Sequence, residues 1–239
     1  MSNILVFDTS SSWCSAALSV NGQVSTVSEM QPRKHAQLLM PMIDELCNNA
    51  NIKPAQLDGI AFGKGPGSFT GLRIAISVAQ GLALATGAKL YGISSLQALA
   101  WQAMKKHKVS RVLAIMNAHM GEVFYAAYDE LTAVIDDALC QPCDVDLSAI
   151  ADDLICSDAN SAWLGAGDGL QFASELPATI TQLSTLDIEV FPLAESMMDI
   201  AIKAWQNNLF TTAEHQQPVY LRDTVAWKKL AEQPSLLKR

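Results

Sequence analysis

The chain has 239 residues, of which half are hydrophobic and 17% are charged, and its formal net charge is −8 at pH 7. This composition predicts a sizeable core in one large domain or two small lobes, and the acidic balance argues against tight direct binding of nucleic acid, which needs a basic footprint. The odd number of five scattered cysteines does not indicate a disulfide framework, and no targeting or membrane-spanning segment is recognised, so we expect a cytoplasmic protein.

The chain opens with a predicted meander of three strands. Residues 4–7 have the pattern of a buried strand and lead into a polar turn that begins with Asp8 and Thr9. A second strand follows over residues 14–20, and Asn21-Gly22 favours a two-residue hairpin into the third strand. A turn such as the first approaches nucleotide phosphates in actin-like and hexokinase-like ATPases, whereas an ordinary polar turn with an Asx-type hydrogen bond explains the same residues.

Two predicted helices flank a short strand and a glycine-rich turn. Apolar residues recur with the helical period over residues 35–50, and Pro41 should bend this helix. The strand over residues 58–62 leads into the run Gly63-Lys64-Gly65-Pro66-Gly67, whose glycines permit a sharp turn.

The helix predicted over residues 68–86 is the most informative element. Ser68 or Thr70 can cap its start, and Gly87 can end it. The helix is apolar on all sides, so one side should pack on its own sheet and the other on further protein, from this chain or another. An ordinary central helix of a two-layered α/β core explains the same pattern.

A similar succession of elements restarts after residue 110. Strands are predicted over residues 111–116 and 122–128, with a turn over 117–121 between them. This pattern recurs about 105–110 residues after that of the N-terminal strands, which predicts two lobes built alike.

The remaining elements are a second glycine-rich turn, two helices and a tail. The turn over residues 165–169 leads into a predicted helix over 170–176, and an amphipathic helix is predicted over 193–207. We divide the chain into an N-terminal lobe with partner-binding helices (1–108), a C-terminal lobe (109–190), a helix that packs between or back on the lobes (191–215) and an extended tail (216–239).

Few residues suggest chemistry by themselves. Cys140 and Cys143 have the spacing of a redox dithiol, but the acidic residues that follow disfavour a thiolate, so we treat the pair as incidental. The four histidines are isolated in the sequence, and no zinc site is recognised. The glycine-rich turns match neither a P-loop nor a dinucleotide-binding fingerprint.

Five stretches of the sequence together resemble the TsaB (YeaZ) family. They are residues 4–10, 35–43, 65–73 (GPGSFTGLR), 121–125 and 218–222. The resemblance covers nearly the whole chain. It implies an α/β, two-lobed actin-like and hexokinase-like fold (ASKHA, ribonuclease H-like), in which each lobe is a mixed sheet flanked by helices.

The resemblance also implies a role in tRNA modification. The paralogue TsaD transfers a threonylcarbamoyl group to N6 of the adenosine beside the anticodon in tRNAs that read codons starting with A. The resemblance implies that this chain binds TsaD as a heterodimer, with TsaE and TsaC as further partners. It also implies a homodimer when the chain is alone, only indirect contact with tRNA, no cofactor and no membrane.

One departure from TsaD implies that this chain is not itself an enzyme. TsaD holds a metal with histidines after the corresponding strand, whereas this chain has Ser94, Ser95 and Leu99 there, which cannot replace imidazole ligands. A departure from the TsaB family itself is Asn117-Ala118-His119, which stands before the 121–125 motif where the family usually has Asp-Ala-Arg, and it argues against a site for a charged group at that turn. The alternatives are an M22-like metallopeptidase, which would need the missing ligands, and a sugar-kinase-like ATPase, which the two polar turns support.

Three sets of candidate site residues follow. The predicted partner interface consists of Leu39, Met42, Ile43, Leu46, Gly71, Leu72, Ala75, Ile76, Ala79 and Leu82. The family-signature loop contributes Gly65, Pro66, Gly67, Ser68, Thr70 and Arg73. A vestigial nucleotide site would use Asp8, Thr9, Gly165 and Gly167.

Overall fold

Mixed sheets organise both halves of the computed structural model, which describes residues 2–154, 162–183 and 185–222. The strands of the first sheet are β1 (Ile4–Asp8), β2 (Trp13–Val20), β3 (Gln23–Met30), β4 (Gly59–Gly65) and β5 (Lys89–Ser94). The helices of this half are α1 (His35–Asn49), α2 (Phe69–Thr86) and α3 (Ser95–His107).

The second half contains β6 (Arg111–His119), β7 (Glu122–Asp129), β8 (Thr132–Cys140), β9 (Leu164–Ala166) and β10 (Leu186–Asp187). Its helices are the short α4 (Ala178–Thr181) and α5 (Ala194–Gln206).

The two sheets have the same topology. The first has the order β3-β2-β1-β4-β5, with an antiparallel meander followed by parallel β1, β4 and β5. The second has the order β8-β7-β6-β9-β10, with the same succession of antiparallel and parallel pairs. The predicted repeat and the two-lobed actin-like fold are therefore confirmed.

Local sequence signals set the element ends as predicted. Asn21 and Gly22 both have positive φ, at 52° and 83°, which suits a two-residue hairpin. The Ser68 hydroxyl accepts a hydrogen bond from the amide of Gly71 at the start of α2, and Gly87 ends this helix in the left-handed conformation.

Two predicted elements differ in the structure. β6 continues to His119, so the predicted turn over residues 117–121 shrinks to Met120 and Gly121 because Asn117 still pairs with Val123 of β7. The helix predicted over residues 170–176 is a 3₁₀ turn over Asp168–Phe172 followed by irregular turns. Part of the predicted tail, residues 223–239, lies outside the described residues.

Each sheet packs against a helix that belongs, by sequence, to the other half of the chain. α1 and α2 cover one face of the first sheet, while α5, which follows the second sheet in the chain, covers the other face. α3 belongs to residues 1–108 by sequence, but its apolar side chains pack in the core of the second lobe. α3 and α5 also contact each other, so the lobes are joined by packed helices.

Candidate functional site

The predicted interface residues of α1 and α2 face the chain's own sheet. Nine of them are buried, and only Leu82 is half-exposed. The predicted residues form the most apolar stripe of each helix, and in the structure this stripe packs in the core of the first lobe. The nine buried side chains are therefore used inside the fold, and the partner role of the two helices stays a prediction, to be carried by their outer sides.

The outer side of α2 combines large apolar residues with small ones. Leu84 is 90% exposed and Phe69 is 54% exposed. Between them, Ser77, Gly81 and Ala85 form an exposed stripe of small residues at helical spacing. A Cβ at Gly81 would meet nothing within 4 Å, so a partner helix has room to approach. We call this surface, from Phe69 to Ala85, the outer α2 face.

Length and apolarity would also allow α2 to cross a bilayer, and among the described residues it is the one helix that meets this criterion. Core helices of soluble proteins meet it as well. Here Ala75, Ile76 and Ala79 pack on the first sheet, and Arg73 and Gln80 are exposed.

The signature loop brings α2 against the turn after β1. A Cβ at Gly67 or Gly71 would overlap backbone atoms of Ser10 or Thr9, so glycine is needed at both positions for this approach. The amide of Ser68 donates to the carbonyl of Ser10 at 2.8 Å, and the Thr9 hydroxyl donates to the carbonyl of Gly71 at 2.8 Å. The glycines thus fix the position of the start of α2.

The remaining signature residues occupy different places. Pro66 is buried, and the peptide bond before it is cis. Thr70 is exposed in the first turn of α2, and Ser68, not Thr70, caps the helix. The Arg73 guanidinium lies 3.8 Å from the centre of the Phe69 ring on the outer α2 face.

A cleft of about 410 Å³ separates the lobes. Polar groups line it from both sides: Ser10, Ser11, Ser12, Arg33, His35 and Ser68 from the first lobe, and Asn117, His119 and Asp168 from the second. Its apolar wall contains Leu99, Met116, Phe124 and Phe191.

Asp8 and Thr9 do not line this cleft. Asp8 is fully buried, and its Oδ1 accepts hydrogen bonds of 2.9 Å from both the amide and the hydroxyl of Ser10. Its Oδ2 has no hydrogen-bond partner among the described residues and lies where a Cβ at Gly63 would be. Burial raises the pKa of Asp8 to about 7. Both side chains are used inside the fold.

The glycines of the second polar turn also have a packing role. A Cβ at Gly167 would overlap the carbonyl oxygen of Ile115, and one at Gly165 would lie 2.6 Å from Leu186 Cδ2. The next residue, Asp168, does reach the cleft and accepts a hydrogen bond from the amide of Asn117 at 2.9 Å. Burial raises its pKa. In the sequence, the place of Asp168 directly after the candidate residue Gly167 was the only indication that Asp168 belongs to the site.

A hydrogen-bonded network surrounds Ser94 at the end of β5. The Ser94 hydroxyl donates to Asp137 Oδ2 at 2.7 Å, and the Tyr128 hydroxyl donates to Asp137 Oδ1 at 2.9 Å. Leu99 lines the cleft, and Ser95 is buried. Within residues 2–154, 162–183 and 185–222, no group of three or more His, Cys, Asp or Glu side chains is placed to hold a metal ion.

The cysteine pair shows no sign of activation. Burial, with smaller contributions from Asp144 and Cys143, raises the pKa of Cys140 to about 11. A protonated thiol is a poor nucleophile, which agrees with our interpretation of the pair as incidental.

The chain is similar to known proteins over almost its whole length. The family described as "TsaD: tRNA N6-adenosine threonylcarbamoyltransferase" matches residues 24–229. The tRNA threonylcarbamoyladenosine biosynthesis protein TsaB of Escherichia coli (strain K12) is 36% identical over 238 residues, which cover 95% of this chain and 97% of that protein. The protein of the same name from Haemophilus influenzae (strain ATCC 51907 / DSM 11121 / KW20 / Rd) is 31% identical, with 95% and 96% covered.

The chain is also similar to two solved structures, both over more than 90% of its length. The structure of YeaZ from Pseudomonas aeruginosa is 36% identical, has a TM-score of 0.84 and covers 92% of this chain and 100% of its own. A second structure, of an uncharacterized protein with similarity to peptidase YEAZ from Pseudomonas aeruginosa, is 37% identical with a TM-score of 0.85, and covers 93% and 100%.

Proposed function

Because the chain belongs to the TsaB (YeaZ) family, we propose that it takes part in the synthesis of threonylcarbamoyladenosine in tRNA as a non-catalytic subunit that binds TsaD. In this role it supports the transfer of the threonylcarbamoyl group by TsaD to adenosine N6. It works in the cytoplasm, with TsaE and TsaC in the same assembly.

The observation that carries the proposal is the outer α2 face. Leu84 is 90% exposed, and burying a leucine side chain stabilises a contact by about 1.5–3 kcal/mol. The small residues Ser77, Gly81 and Ala85 beside it let a helix backbone approach closely, so that further contacts add to this energy. An exposed apolar helix side of this kind is a feature of interaction surfaces.

A paralogue with an equivalent helix fits this face. α1 continues the surface with Met40, which is 39% exposed, so two helices are available from each subunit. Because a second copy of the chain offers the same face, we propose that the chain forms a homodimer when alone and exchanges it for TsaD when TsaD is present.

The non-catalytic role is supported by the network around Asp137. The Ser94 and Tyr128 hydroxyls each donate to one oxygen of this carboxylate, in the region that we take to correspond to the TsaD metal site. Asp8 and Thr9, which the ATPase alternative needs, do not line the cleft; Thr9 donates to the carbonyl of Gly71, and Asp8 Oδ1 accepts from Ser10.

The role of tRNA is indirect. The basic cluster at the end of α3 is paired with carboxylates, because Lys105 Nζ lies 2.7 Å from Asp199 Oδ2 and Lys106 Nζ lies 2.6 Å from Asp187 Oδ2. With a net charge of −8, the chain repels the phosphate backbone at long range. TsaD therefore binds the tRNA, and this chain contacts it only indirectly.

The test is a comparison of Leu84→Glu with Ile188→Glu, which places the same charge at a 53% exposed residue of the second lobe. Light scattering should give a dimer for the wild type and for Ile188→Glu and a folded monomer for Leu84→Glu. Binding of TsaD by Leu84→Glu should weaken at least about tenfold, as expected for the loss of 1.4 kcal/mol or more. Equal TsaD binding by both variants would contradict the proposed face.

A further inference from the structure

A short extended segment joins the outer α2 face to the rim of the cleft. We call residues 219–222 the strap. The strap begins on the first lobe, where the amide of Val219 donates to the carbonyl of Lys64 in β4 at 2.7 Å. The carbonyl oxygen of Val219 lies 2.9 Å from the position that a Cβ at Gly65 would occupy, so the strap runs directly over the signature loop.

The next residue of the strap extends the outer α2 face. The Tyr220 ring lies 5.3 Å from the Phe69 ring, and Arg73 Nε donates to the Tyr220 hydroxyl at 3.5 Å. Tyr220 is 42% exposed and Phe69 is 54% exposed, so the two rings cover each other only in part. A subunit that packs on this end of α2 would cover both rings at once.

The end of the strap holds the second lobe. Leu221 packs against the apolar core that α3 forms with β6 and β7. The Arg222 guanidinium donates to the carbonyls of Ala118 and His119 at 3.1 and 3.4 Å and pairs with the carboxylate of Glu122. These three residues belong to the β6–β7 hairpin.

The hairpin that Arg222 holds forms part of the cleft. Ala118 and His119 both line it. His119 and Met120 have positive φ of 59°, a conformation that is uncommon for residues other than glycine and needs support from its surroundings. Arg222 supplies that support through the two carbonyls and Glu122.

We propose that the strap is a latch that couples the outer α2 face to the cleft. When a subunit covers Phe69 and Tyr220, the strap is fixed, Arg222 holds the hairpin more firmly, and the cleft between the lobes becomes more rigid. The coupling runs in both directions, as any linkage between two sites must. The identity of the covering subunit rests on the proposed function, whereas the coupling itself is a property of the isolated chain.

Amide hydrogen exchange of the full chain tests the coupling. Tyr220→Ala should raise exchange at residues 69–73 and also, by at least about threefold, at residues 118–123. Glu122→Gln weakens the other end, and it should raise exchange at residues 69–73 as well as in the hairpin. Gln217→Ala is the control just before the strap, because Gln217 is exposed, and it should change neither region.

The latch is overturned if each substitution raises amide exchange only in the region that it contacts. If Tyr220→Ala loosens only α2 and Glu122→Gln loosens only the hairpin, the two ends are independent. Tyr220→Phe, which keeps the ring contact, should retain most of the protection; general loosening of the whole chain by both Tyr220 variants would mean that Tyr220 serves stability instead of coupling.

A second arm separates this inference from the proposed function. Addition of TsaD to the wild type, diluted until light scattering gives a monomer, should protect residues 118–123 in addition to α2. Protection of α2 alone overturns the latch and leaves the proposed function intact. Failure of TsaD to bind overturns the proposed function, while coupled exchange in the isolated variants still supports the latch.

Discussion

Two glycines of α2 have opposite surroundings and therefore opposite roles. A Cβ at Gly71 would overlap the carbonyl oxygen of Thr9, whereas one at Gly81 would meet nothing within 4 Å. Gly71→Ala should lower the free energy of unfolding by about 2–3 kcal/mol, because the turn after β1 must move away. Gly81→Ala should raise it by about 0.5–1 kcal/mol, because alanine favours the helix.

Urea unfolding of both glycine variants measures this difference. The pair is matched, since both positions lie in the same helix and gain the same methyl group. Destabilisation of similar size at both positions would show that helix propensity or general packing, and not the contact with Thr9, makes Gly71 necessary.

The buried carboxyl of Asp8 predicts a pH dependence of stability. Its pKa of about 7 in the folded chain lies above the ordinary value of 3.8, so the folded chain binds this proton more tightly than the unfolded chain does. Between about pH 4 and pH 7, this group therefore lowers the free energy of unfolding by roughly 1 kcal/mol for each pH unit. Above about pH 7 its contribution levels off.

Asp8→Asn should remove most of that slope. Asparagine keeps an oxygen that accepts from the Ser10 amide and hydroxyl but cannot ionise. Urea unfolding between pH 5 and 8 should give a flatter curve for the variant, while Asp44→Asn at an exposed position of α1 should follow the wild type. Parallel curves for Asp8→Asn and the wild type would mean that Asp8 does not titrate in this range.

At the scale of an element, α2 has one side that must stay apolar and one that can change. Ala79 is fully buried against the first sheet, and Ser77, two residues earlier, is exposed. Ala79→Glu buries a carboxylate without a partner and should abolish cooperative unfolding, since its cost of several kcal/mol approaches the whole stability of a domain. Ser77→Glu should keep the wild-type circular dichroism spectrum and melting temperature within a few degrees.

Circular dichroism melts of the two glutamate variants decide between the sides of the helix. A folded Ala79→Glu with wild-type stability would contradict the orientation of α2 described here. It would return Ala79 to the partner interface, where the sequence analysis placed it.

The sequence predicts α2 itself well but not its orientation. Its ends depend on Ser68 and Gly87, which act on neighbours in the chain, and both were predicted. Which stripe faces the sheet depends on distant strands, and a helix that is apolar all round carries little information on this point. The predicted interface residues therefore lie mostly on the buried stripe, whereas the exposed side chains of Leu84 and Phe69 become apparent only in the structure.

Contacts between distant segments explain the other omissions. Tyr220 meets Phe69, and Arg222 meets Glu122, only because the tail crosses both lobes. A one-dimensional pattern does not show such a crossing. The resemblance to a known family, in contrast, indicated the two-lobed fold because it covers nearly the whole chain.

At the scale of the whole molecule, two sheets of the same topology support different surfaces. The first lobe presents the outer α2 face, and the second lobe forms the far wall of the cleft with Asn117, His119 and Asp168. Since α3 packs on the second sheet and α5 on the first, the lobes support each other. A duplicated fold of this kind can lose a catalytic site and keep its surface for a paralogue.

Reconstituted tRNA modification tests the central claim, that this chain is a partner of TsaD and not a catalyst. Purified TsaD, TsaC and TsaE are supplied with threonine, bicarbonate, ATP and tRNA, and threonylcarbamoyladenosine is measured by mass spectrometry. We expect modification with the wild-type chain and with Ile188→Glu, at least about tenfold less with Leu84→Glu, and none when TsaD is left out. Full modification with folded Leu84→Glu, or modification without TsaD, would contradict the claim.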